Sequence, residues 1–234
     1  MGTSTDHSGG SGGSWEGAKR ASTSFAKKGD KRRAERALGR LVVALGGAGA
    51  LAAASSGATA ATRGLGSLLS TSASDGLGTA LGQLGLSDLV GRPADEVIAG
   101  LVDLLAGSGD DREGQAARAA ACDVFERLAE DADSYEGLEQ ALTEVDDLGS
   151  VLEMFLSSYV YWLLLPVIEE RLERLDDAAL RAKREGELRE VVAAVVELNV
   201  SKGAFDATRW PLATEAELEA LIRETLAYLE EQDY

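Results

Sequence analysis

Apolar positions along this chain recur at helical spacing. Leu38, Leu41, Val42 and Leu45 fall on one face, and Asp30 stands where a helix N-cap is expected. Gly46, Gly47 and Gly49 follow and predict the end of that helix. Leu65, Leu68 and Leu69, then Leu77, Leu81 and Leu84, repeat the spacing inside a glycine-laced stretch. Each helical glycine costs about 1 kcal/mol against alanine, so these helices need tertiary support, and close helix–helix approach is the structural use of so many small residues. Pro93 fits a first helical position, with Asp95 and Glu96 in the turn where acids complement the helix dipole. Its helix carries Val97, Ile98, Leu101, Val102, Leu104 and Leu105 to about Ala106. Asp110 or Asp111 caps the next, which runs to about Asp131 with Ala117, Ala121, Val124, Phe125 and Leu128 on one side. A shorter helix is expected around Tyr135 to Val145.

The most apolar element reads VLEMFLSSYVYWLLLPVIEERLERL, opened by a capping-box pattern at Ser150 and Glu153. Pro166 removes a backbone hydrogen bond and predicts a kink. Tyr159, Tyr161 and Trp162 form the aromatic cluster. It reads either as a ligand-stacking platform or, the preferred reading, as the centre of the bundle core. Residues 178 to 199 form a further helix, and NVSKGAFDATRWPL reads as a loop with Asn199 or Gly203 as the helix stop. Thr214 and Glu217 make a second capping box before a helix with Leu218, Leu221, Ile222, Leu226 and Leu229 on one face. No stretch sustains an alternation of period two. The expectation is an all-α protein, a helical bundle of about six to eight helices preceded by a disordered Gly/Ser-rich N-terminal tail. Four segments follow: a disordered Gly/Ser tail (1–14), a basic helical segment (15–40), a Gly/Ala-rich helical region (41–90) and an acidic helical bundle (91–234).

Charge sharpens that division. The 234-residue chain carries a net charge of −17, but Trp15 to Arg40 holds nine basic and three acidic residues, a local +6. From Leu41 onward the balance is −22, with 14 basic and 36 acidic residues. An acidic body repels nucleic-acid phosphates, so only the basic segment is suited to attract them. Lys27, Lys28, Lys31, Arg32 and Arg33 are the candidate nucleic-acid contacts; the competing reading is a solvated face, or one laid on the acidic body. Arg181, Lys183 and Arg184 read as a solvated basic face.

Candidate chemistry is sparse. The one cysteine, Cys122, reads as a small core residue and excludes an intramolecular disulfide, which suits a reducing cytoplasm. The one histidine, His7, lies in the tail, so Cys/His, Ser-His-Asp and zinc constellations lack residues. Adjacent acids such as Asp146 and Asp147, Glu169 and Glu170, or Asp176 and Asp177 point about 100° apart on a helix and do not converge. No glycine run has a phosphate-loop ending. The expectation is a non-enzyme without metal or cofactor. Leu41 to Thr62 is uncharged over 22 residues, long enough to span a bilayer, but its bulky side chains are confined to Leu41, Val42, Val43, Leu45 and Leu51. A membrane role is therefore an alternative and not the main expectation. Met154 to Ile168, at 15 residues, is too short to span and reads as a buried core helix. The polar N-terminus does not have the pattern of a secretory signal.

The opening MGTSTDHSGGSGGSWEGAKR holds a different kind of group. Gly2 is small, so removal of Met1 is expected to leave a glycine amine on a polar tether of roughly 13 residues, with a reach of around 20 Å. Asp6 does not fit the myristoylation pattern. An α-amino group titrates near 7.7–8.0 and a lysine near 10.4, so Gly2 is a better neutral nucleophile than Lys19. This opening, followed by ALGRLVVALGGAGALAAASSGATAATRGLGSLLS, resembles the QatB family, components of the bacterial Qat anti-phage defence system. The resemblance implies a system of four proteins: an ATPase, a QatB, a QueC-like enzyme and a TatD-like nuclease. It further implies that the QueC-like enzyme attaches a 7-deazaguanine group to Gly2, with Thr3 and Ser4 as recognition residues. The leading expectation is a cytoplasmic helical scaffold that docks these partners and offers Gly2. The alternatives are a membrane-active effector using residues 41–62 and a nucleic-acid adaptor using residues 19–40.

Overall fold

Capping residues and positive-φ glycines cut the chain into its elements. The computed structural model describes residues 12–107, 109–202 and 205–232. Among them are eleven α-helices, two 3-10 turns and no strand, so the all-α expectation holds. The helices outnumber the expected six to eight because short pieces separate at glycine turns and at Ala54–Ser55.

The basic segment is a helical hairpin. Helices α1 (Gly12–Lys28) and α2 (Lys31–Ala44) meet at Gly29 and Asp30, whose φ angles are 67° and 79°. Asp30 caps α2 as expected, its side chain accepting from the Arg33 amide at 2.9 Å. Ala18, Ser22, Phe25 and Ala26 bury one face of α1 against α2 and the rest of the bundle. Helix α1 thus begins inside the segment expected to be tail, and residues 1–11 lie outside the described residues.

The Gly/Ala-rich region breaks twice where the uncharged stretch was read as one candidate span. Gly46 and Gly47 (φ 112° and 86°) separate α2 from α3 (Ala48–Ala53), while Gly49 sits inside α3. A second break at Ala54 and Ser55 precedes α4 (Ser56–Asp75), and Gly76 (φ 84°) turns α4 into α5 (Leu77–Gln83). Residues 41–62 are therefore parts of three helices. Close approach explains the small residues: a Cβ on Gly66 would lie 3.1 Å from the Trp210 ring and 3.2 Å from Pro211 Cα.

The acidic half supplies the remaining helices: α6 (Ala94–Ala106), α7 (Arg112–Leu128), α8 (Tyr135–Thr143), α9 (Leu148–Leu172), α10 (Ala178–Lys202) and α11 (Glu215–Glu231). Pro93 is the N-cap of α6, one position before the expected place, and Asp111 caps α7 by accepting from Gly114 N at 2.7 Å. Helix α9 is the central element, packed on α1, α2, α4, α7 and α10. Its N-cap is Asp147, accepting from Ser150 N at 3.1 Å; Ser150 lies within the helix, so the capping box read there does not form. The helix continues through Pro166 to Leu172. At 25 residues it is longer than its apolar run suggested and is long and apolar enough to cross a membrane, yet 67% of its most apolar window is buried inside the bundle. The Thr214–Glu217 capping box of α11 forms as read.

Three other expectations differ from the structure. Asn199 does not stop α10; its amide donates to Val195 O at 2.8 Å inside the helix, and Gly203 lies outside the described residues. The segment read as a plain loop contains a 3-10 turn (Ala207–Leu212) that drives Trp210 fully into the core, its indole donating to Thr62 O at 3.0 Å. Arg184, read as solvated, is 7% exposed. Its guanidinium bonds both Glu187 oxygens at 2.9 Å and donates to Ala26 O at 3.3 Å, in space left by the missing Cβ of Gly29.

Candidate functional site: an acidic groove between three helices

Helices α7, α9 and α10 pack side by side, and the spacing of their side chains opens a groove of about 800 Å³ along the seam. Glu153, Ser157 and Tyr161 follow one another at intervals of four on α9; Arg189, Ala193 and Glu197 do so on α10. Residues four apart share a helix face. The middle member of each stripe, Ser157 or Ala193, is small, so the helices leave room between the larger ends. The C-terminal part of α7 closes the side with Asp123, Glu126 and Arg127.

One end is tied by a polar network. Asp123 accepts hydrogen bonds from the Ser158 hydroxyl and, at 2.8 Å, from the Trp162 indole, and its carboxylate lies 3.8 Å from Arg189. The Arg189 guanidinium lies 3.9 Å from the centroid of the Tyr161 ring, a cation–π contact. Tyr161 meets Trp162 edge to face at 5.5 Å. Burial pushes the Tyr161 hydroxyl above the ordinary tyrosine range, with Arg189 opposing it.

The other end is acidic. The groove is lined by five carboxylates, Asp123, Glu126, Glu130, Glu153 and Glu197, against two cations, Arg127 and Arg189. Burial, then the facing charges of Glu197 and Asp147, raises Glu153 above the usual carboxylate range. Arg127 is paired with Glu130 at 3.6 Å and Arg189 with Asp123, which leaves Glu153 and Glu197 facing each other across the seam.

The aromatic cluster therefore divides. Tyr159 belongs to the core, as preferred from the sequence: its hydroxyl is 2.6 Å from Ser55 Oγ, and burial raises it far above its ordinary value. It also donates to Glu113 at 3.4 Å. Glu113 reaches from α7 to the start of α4, accepting from Ala58 N at 2.7 Å and Gly57 N at 3.2 Å, and so ties two helices together. Tyr161 is buried in the core as well but also lines the groove at its tied end, with Trp162 packed against the core beside it.

The residues singled out from the sequence fall elsewhere. Gly2, Thr3 and Ser4 lie outside the described residues. Lys27, Lys28, Lys31 and Arg32 are exposed together around the α1–α2 turn, while Arg33 is half-buried and paired with Asp30. Lys31 also reaches Glu35 at 3.9 Å. Cys122 is half-buried against the core, and burial raises its thiol, as befits a structural and not a nucleophilic cysteine. Among the described residues no group of three or more His, Cys, Asp or Glu is placed to hold a metal ion. Sequence reading missed the groove. Its signal was the paired intervals of four at 153/157/161 and 189/193/197, which become a site only when α9 and α10 are known to be neighbours.

Fold and groove first define a class: an all-α bundle with an acidic interhelical groove. The family follows from comparison. The model of the family described as "Qat anti-phage system associated protein QatB" matches residues 46–228, well over half of the chain, and the chain belongs to the QatB family. No curated protein and no solved structure matches it. The matched span begins at the α2–α3 turn and takes in the groove; the opening residues and the α1–α2 hairpin precede it.

Proposed function

We propose that this QatB-family component of an anti-phage defence system is a non-enzymatic, cytoplasmic scaffold that docks its partners and offers Gly2 as the acceptor of a 7-deazaguanine-type group from a QueC-like enzyme. The observation that carries the reading is the junction between the polar opening and the bundle. Helix α1 is anchored on α2, α9 and α10, and it starts at Gly12, so nine residues separate Gly2 from the folded body. From composition alone, a Gly/Ser-rich segment of that length is expected to reach about 17 Å, enough to enter another protein's active site while the bundle stays docked outside.

Chemically, the body supplies position and Gly2 supplies the nucleophile. After loss of Met1 an α-amine, which ordinarily titrates near 7.7–8.0, is partly neutral near pH 7.5, whereas an ordinary lysine amine, near 10.4, is not. The neutral nitrogen attacks the carboxyl carbon of a 7-deazaguanine acid that the QueC-like enzyme has activated with ATP as an acyl-adenylate; the amide bond forms, the C–O bond to AMP breaks with AMP leaving, and the amine's proton goes to water. Thr3 and Ser4 are the side chains beside that nitrogen and read as its recognition elements. The ATPase and the TatD-like nuclease are further candidates for docking. The test is the intact mass of the protein produced with and without the QueC-like enzyme. An added mass that requires that enzyme and disappears in Gly2→Pro supports the proposal; the Met-less mass alone, in cells that resist phage, contradicts it.

A second reading rests on the basic corner. Lys27, Lys28, Lys31 and Arg32 converge at one exposed turn, the arrangement a nucleic-acid adaptor needs. It predicts DNA binding that weakens steeply with salt. A flat titration at low salt removes it.

A further inference from the structure

We propose that the groove between α7, α9 and α10 binds a Lys/Arg-bearing peptide segment of a partner protein. The inference does not depend on Gly2 being modified.

Three features of the groove select this occupant. Charge comes first. Glu153 and Glu197 face each other from neighbouring helices, and the two arginines of the groove are already engaged by Asp123 and Glu130. A cation placed between Glu153 and Glu197 removes their repulsion and adds two attractive contacts. A phosphate or an acidic peptide would meet five carboxylates. Shape comes second. The cleft is open along the helix seam and holds about 800 Å³, room for several side chains in a row. Its form fits a laid-in segment of chain, as in other groove-bound peptides. The apolar lining comes third. Met154 and Ala193 add apolar surface among the carboxylates of the groove. Lysine and arginine match such a surface, since their methylene stems lie on apolar atoms while the charged head reaches an acid. At the tied end the Arg189 guanidinium already covers the Tyr161 face, so that end is a fixed wall and the Glu153–Glu197 end is the receptive one.

The probe is an acetylated, amidated hexapeptide of alternating lysine-arginine pairs and alanine, titrated calorimetrically into the full-length protein at low salt. Binding is expected to weaken at least tenfold in Glu153→Gln/Glu197→Gln. It should change less than twofold in Asp88→Asn/Glu231→Gln, which alters net charge equally at exposed sites outside the groove. Ala193→Phe fills the cleft from an exposed position without altering charge, and it too should cost at least tenfold; this keeps the test decisive if the double glutamine variant folds poorly. Absence of binding to the wild type overturns the proposal. So does equal loss in the groove and control variants, which would mean general attraction to an acidic surface. Binding of spermidine as tightly as the peptide would assign the groove to small polyamines and also overturn it.

Discussion

Glu153 illustrates how a single side chain in this bundle trades stability for readiness to bind. Its carboxyl is held above the ordinary value of 4.5, first by burial and then by Glu197 and Asp147. A carboxyl that binds its proton more tightly when folded stabilises the native state below the unfolded value, and that contribution is lost as pH rises through the folded value. Glu113 carries the same direction, because desolvation outweighs the amides of Ala58 and Gly57 that it accepts from. Glu153→Gln should therefore match the wild type in thermal midpoint at about pH 3, where the acid is protonated in both states, and exceed it increasingly toward pH 7. Melting curves across that range check it. A variant that instead loses stability relative to the wild type as pH rises would mean that the charge at this position is favourably solvated and would contradict the raised value.

The elements are joined by a few residues that the periodic pattern does not mark. Gly29 is one: its φ of 67° suits glycine, and any Cβ there would meet the Arg184 guanidinium. Gly29→Ala should cost about 2 kcal/mol or more, the left-handed backbone contributing about 1–2 kcal/mol of it and the displaced Arg184–Glu187 pair the remainder. Chemical denaturation measures the loss. Trp210 is another, locking the 3-10 turn to α4 through its ring and its bond to Thr62 O. Trp210→Ala should lower stability by about 3–5 kcal/mol, the usual result of emptying a large buried aromatic site. Neither role was readable from the chain. Gly29 carries no periodic or capping signal of its own, and Arg184 lies in a run of charges whose burial depends on α1, 158 residues away. The local signals were legible: Asp30, Asp111 and the Thr214–Glu217 box cap where read, because a cap needs only its own next turn. At the start of α9 two acceptors competed, and Asp147, standing three residues before Ser150, took the amide.

At the scale of the molecule the chain divides by charge. The α1–α2 hairpin, basic at its exposed turn, is packed onto a strongly acidic bundle, and the polar opening precedes it. The helical class was legible because apolar spacing at 3.6 residues runs almost throughout. The groove was not, since it exists between helices distant in sequence. Family membership rests on residues 46–228, while the proposed acceptor lies before them, so the body and the opening carry separate evidence. The central claim is that the reactive handle is the nitrogen of Gly2 and not a lysine of α1. Tandem mass spectrometry of the N-terminal peptide, from protein purified out of cells that carry the whole defence system, tests this most directly. The account predicts that the added mass sits on the first fragment ions, at Gly2, with Lys19 unmodified. An added mass on Lys19, or an unmodified N-terminal peptide from phage-resistant cells, would contradict it.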